Sequence, residues 1–143
     1  MPTRLLRAAL AATLAAALPA LAAAQPRAIP TPEQFFGFPM GADRKLAGWD
    51  RIVEYFHLVD RLSDRVLVQE LGKTTMGRPY IMAIVSTPDT IADLPRHREM
   101  QRRLADPRRT SEEEAMKIAR EGKAVLLVGT NVHSTEIGNS QMV

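Results

Sequence analysis

Two residues near the carboxyl end of the 143-residue chain could do chemistry together: His133 and Glu136, three positions apart. In a helical or turn-like backbone, side chains at i and i+3 share a face. One imidazole nitrogen and one carboxylate could then point at a common ion. Zinc takes such nitrogen and oxygen donors at about 2.0 to 2.2 Å. A catalytic zinc site needs a third protein ligand and an open position for water. His57 and His97 are the remaining histidines, one within an amphipathic helical pattern and one in an arginine-rich segment. Neither is well placed, so the third ligand is expected to be absent from this chain. On spacing alone, Glu136 could equally favour a helix N-terminus through the dipole, and His133 could be a satisfied polar residue at a strand end. No H-E-x-x-H is present, which excludes the helix-borne two-histidine zinc protease pattern.

The elements that must hold this pair can be read from periodicity. Ala124-Val125-Leu126-Leu127-Val128, within residues 123–130, is a continuous apolar run bounded by glycines. It predicts a strand buried on both faces, with His133 and Glu136 just past its carboxyl end, where open α/β sheets gather functional groups. Residues 137–143 then predict the first two turns of a helix. Upstream, Leu46, Trp49, Ile52, Val53, Phe56, Val59 and Leu62 recur at three- and four-residue steps and predict a helix over 44–62, with Asp43 as N-cap. Residues 66–71 and 80–86 read as strands. Between them, residues 72–79 hold two glycines and a proline, as a hairpin connection should. A polar helix is expected over 96–105, ended by Asp106-Pro107. Ser111 and Glu114 form a capping-box pattern that opens another helix, running to Glu121 and stopped by Gly122.

Strands alternating with helices argue an α/β layered fold, and the hairpin makes its sheet mixed. Three strands leave at least one long apolar edge unpaired, which finished proteins avoid. The expectation is therefore the N-terminal part of a larger, truncated domain.

The first 24 residues read as a targeting segment. Arg4 and Arg7 precede an apolar run over 8–18 broken only by Thr13, Pro19 follows, and Ala22-Ala23-Ala24 stands before Gln25. This is the order of a cleaved secretory signal peptide. Its apolar run is shorter than the roughly 20 residues that a span requires, so no stable membrane span is expected after cleavage. The expected location is secreted or periplasmic. Residues 25–42 form a Pro-rich leader, with prolines at 26, 30, 32 and 39, expected to be extended rather than packed, its Phe35, Phe36 and Phe38 pinning it to a surface. The domain proper would span 43–143.

Composition limits the functions further. The chain has no cysteine, which excludes a disulfide scaffold and a thiol nucleophile. Without Arg4 and Arg7, 17 of the 19 basic residues remain against 16 acidic ones, a net charge of +1. The cluster Arg96, Arg98, Arg102, Arg103, Arg108 and Arg109 is interleaved with acids rather than aromatics, which reads as a solvated helix face. No nucleic-acid partner is expected.

Two segments carry a family resemblance. Residues 128–136, Val-Gly-Thr-Asn-Val-His-Ser-Thr-Glu, resemble the first zinc-ligand segment of the M14 zinc carboxypeptidases, where a strand feeds an H-x-x-E motif that opens a helix. Residues 72–79, Gly-Lys-Thr-Thr-Met-Gly-Arg-Pro, resemble that family's G-x-S/T-x-x-G-R connection between its first two strands. With the helix over 46–62 in the same order, the resemblance covers residues 42–143. It implies the N-terminal part of a mixed-sheet α/β/α zinc carboxypeptidase-like fold. His133 and Glu136 would be the first two Zn2+ ligands. A distant histidine would complete the site, and a distant glutamate would act as the general base on zinc-bound water. Arginines and a tyrosine that hold the substrate's terminal carboxylate also come later in the family. The substrate would be a peptide or protein cut at its C-terminal bond. Thr135 stands where many members carry an arginine that contacts substrate, which leaves the substrate open. Arg78, Gly72 and Gly77 read as turn residues. Two other readings stand beside this one: an amidase or deacylase on the related zinc fold, lacking the later arginines, and a truncated, non-catalytic product that binds peptide without cleaving it. By any of these readings the chain on its own is expected to be inactive.

Overall fold

The computed structural model describes residues 28–133 and 135–142. The signal-peptide expectation for residues 1–24 lies outside them. The described residues form a small mixed α/β domain: a two-stranded antiparallel sheet and six helices.

Helix α1 spans Pro32–Phe36. It corrects the expectation of an extended leader. Pro32 suits a first helical position because its missing N–H needs no partner there. Thr31 and Gln34 cap each other's backbone N–H reciprocally, and Gly37 closes the helix with φ 81°. The aromatics do pin this segment. Phe35 and Phe36 lie 5.1 and 5.9 Å from the Tyr55 ring, the Arg51 guanidinium lies over Phe35 at 4.2 Å, and the Tyr55 hydroxyl donates to the Pro30 carbonyl.

Helix α2, Trp49–Leu62, starts five residues later than the periodicity suggests, with Gly48 rather than Asp43 at the N-cap. Arg44 takes φ 56° and interrupts any helical run there. Ile52 and Val53, the inward positions of α2, are buried together with Ala47. Each such side chain contributes about 1.5–3 kcal/mol when removed from water. Their neighbours are β1, Val66–Lys73, and β2, Pro79–Val85, paired from Val66↔Val85 to Lys73↔Pro79 with an irregularity between Glu70 and Gly72. The turn between the strands is tied by Thr74 N–H to the Arg78 carbonyl and Gly77 N–H to the Thr74 carbonyl. Gly77 sits at φ 75°, a region costly for residues with a Cβ. Trp49 joins helix to hairpin by donating from Nε1 to the Pro79 carbonyl.

Helix α3, Pro88–Ala92, is too short for periodicity to reveal. Helix α4, Leu94–Ala105, follows it directly. Helix α5, Glu112–Glu121, opens at Ser111, whose hydroxyl accepts the Glu114 N–H. The Glu114 carboxylate pairs with Arg103 on α4. Met100 on α4 and Ile118 on α5 are buried and form a second, smaller core. Gly122 ends α5 where a Cβ would stand 2.8 Å from the Ile118 carbonyl oxygen, so only glycine fits without a shift. Arg98 on α4 donates to the Gln69 side chain on β1 and links the two halves.

Residues 124–128 do not form the expected buried strand. Among the described residues β1 and β2 pair only with each other, so the sheet is antiparallel rather than mixed. Val125, Leu126, Leu127 and Val128 are 72, 88, 82 and 54% exposed. A strand exists through its ladder hydrogen bonds, and among the described residues no neighbouring strand supplies them to this segment. Helix α6, Asn139–Met142, follows as expected in place, but it is a single turn. No helix of the described residues is long and apolar enough to cross a membrane.

Candidate functional site

His133 and Glu136 are brought together. The His133 Nδ1 lies 2.7 Å from Glu136 Oε1. This contact follows from the turn that carries them: Glu136 N–H donates to the His133 carbonyl, and His133 N–H donates to Glu136 Oε2 at 3.2 Å. The i, i+3 spacing thus puts both groups on one side of a tight turn rather than of a regular helix.

Two asparagines close the turn. Asn131, in the left-handed region at φ 58°, donates from Nδ2 to the Glu136 carbonyl at 3.2 Å. Asn tolerates that conformation better than most residues. Asn139 donates its backbone N–H to the same carbonyl and its side-chain Nδ2 to Glu136 Oε2, the latter at 3.2 Å. Glu136 Oε2 therefore holds two N–H donors, while Oε1 faces the imidazole. The sequence reading missed both asparagines. The signal was available for Asn139, which stands three residues past Glu136 and so on the same face of any turn or helix.

The site is open. The His133 side chain is 73% exposed and that of Glu136 39%. The adjacent imidazole holds the Glu136 carboxyl below the usual carboxylate range, helped by the His133 N–H, opposed by burial, and helped least by the Asn139 amide. Each donor stabilises the ionised form. A metal requires the ionised carboxylate, and it also requires His133 Nδ1 to give up the proton it shares with Glu136 Oε1.

The pair fits a zinc ion as a partial donor set. A tetrahedral ion about 2.1 Å from each atom would set them about 3.4 Å apart, so the 2.7 Å contact has to open by less than an ångström. His57 lies on α2 and His97 on α4. Among the described residues, no group of three or more His, Cys, Asp or Glu side chains is placed to hold a metal together. Four of the six arginines of the basic cluster pair with acids, Arg96 with Asp93, Arg102 with Glu99, Arg103 with Glu114 and Arg108 with Asp106, while Arg98 donates to the Gln69 side chain.

Comparison with protein-family models, with curated proteins and with solved structures finds no match to this chain.

Proposed function

We propose that this chain supplies the first two zinc ligands, His133 Nδ1 and Glu136 Oε1, of a secreted or periplasmic zinc hydrolase of the metallocarboxypeptidase type. The observation that carries the reading is the 2.7 Å convergence of these two atoms in a turn already closed around the carboxylate. The M14-like H-x-x-E and G-x-T-x-x-G-R segments support it, and the second of these occupies the β1–β2 turn. When bound, zinc would polarise the scissile carbonyl of a peptide and lower the pKa of its water. The chain's own part is narrower. His133 and Glu136 would hold the ion, and the hydrogen bonds around Glu136 would keep its carboxylate ionised and aimed. A third donor and a general base must come from outside this pair.

The test is zinc binding by the full chain, followed through the imidazole NMR signals of His133. The expected result is weak, chelator-reversible binding that His133→Ala abolishes, with no peptide hydrolysis by the 143-residue chain. Zinc bound equally by His133→Ala would overturn the ligand assignment. The coding frame past the Val143 codon separates the activities. A further histidine, carboxylate-binding arginines and a late glutamate would support a carboxypeptidase. The same frame without the arginines would favour the amidase or deacylase. A stop codon there would favour the non-catalytic peptide-binding product.

A further inference from the structure

We infer that Asn139 is a positioning residue for Glu136, and that it decides which carboxylate oxygen is presented to a metal. The inference rests on the metal reading above. A carboxylate can meet a cation through either oxygen or both, and an exposed glutamate rotates among these options freely. Here the choice is made in advance. Oε2 accepts from the His133 N–H and from Asn139 Nδ2, both at 3.2 Å, which leaves Oε1 turned to His133 Nδ1 at 2.7 Å. Asn139 is itself held, because its backbone N–H donates to the Glu136 carbonyl, and it is half-buried. Asn131 secures the same carbonyl from the other side. The backbone of Glu136 and its outer oxygen are thereby tied, while Oε1 is held only by the imidazole, so a metal that displaces the Nδ1 proton would meet Oε1 and Nδ1 together. Groups that hydrogen-bond a metal ligand from behind commonly change metal affinity 10- to 100-fold when removed.

The test compares zinc affinity, by NMR titration of the full chain, in the unaltered protein, Asn139→Ala and Gln141→Ala. Gln141 lies on the same single-turn helix, and its side-chain amide donates to the Ile137 carbonyl rather than to Glu136. It therefore reports loosening of α6 without touching Glu136. The expected result is an affinity about tenfold weaker in Asn139→Ala and unchanged in Gln141→Ala. Equal zinc affinity in Asn139→Ala and the unaltered chain would overturn the positioning role while leaving the metal site standing. An equal loss in both variants would assign the effect to the helix and overturn it as well. No zinc bound by the unaltered chain would remove the metal reading, and this inference with it.

Discussion

At the scale of single residues, the molecule is a set of short-range polar arrangements at turns. His133 and Glu136 are one; Asp106 and Arg108 are another. Arg108 donates to both Asp106 oxygens, at 2.8 and 3.2 Å. That guanidinium lowers the Asp106 pKa and raises its own, and the Arg108 N–H adds to the lowering. A carboxyl whose folded pKa is depressed stabilises the fold above its unfolded pKa, near 3.9, and loses that contribution as pH falls through the folded value. Asp106→Asn is therefore expected to lower Tm slightly at neutral pH and to converge on the unaltered protein as pH falls through the depressed Asp106 pKa. A Tm difference that persists undiminished into acid would assign the effect of the substitution to something other than charge. The Arg108 side chain is exposed, so salt should shrink the difference too.

At the scale of elements, local chemistry accounts for most boundaries. Ser111 caps α5 through the Glu114 N–H, and Ser111→Ala should cost about 1 kcal/mol, read as a lower urea midpoint with an unchanged slope. An unchanged midpoint would show that α4 packing alone holds the helix. The hairpin was legible because Gly72, Gly77 and Pro79 punctuate two β-branched runs, and antiparallel pairing over a short turn needs nothing from the rest of the chain. The boundaries that differ have physical reasons. Asp43 is a good capping residue, but Arg44 takes a left-handed conformation and Gly48 becomes the N-cap of α2. Four prolines argued against a packed leader, yet Pro32 is tolerated at the first helical turn and the phenylalanines find Tyr55. Helix α3 is five residues long and begins at Pro88, too short to show a period.

At the scale of the whole molecule, the apolar segment over 124–128 separates pattern from context. Its composition predicts burial, whereas Leu126 is 88% exposed here. Leu126→Ser is therefore expected to change the stability of the 143-residue chain by less than about 0.5 kcal/mol and to reduce its tendency to associate. A loss of about 2–5 kcal/mol on denaturant unfolding, the range for a buried leucine cut down, would show that this segment is packed in solution. The sequence by itself determined the interactions that close within a few residues: the hairpin turn, the Ser111 cap, the amphipathic stripe of α2 and the i, i+3 approach of His133 to Glu136. Their partners lie a few positions apart, so backbone geometry alone brings them together. Tertiary structure decided where the leader packs, how Arg98 ties α4 to β1, and whether residues 124–128 become a strand. Those outcomes depend on distant surfaces and ladder partners, and no local pattern specifies which of them are present.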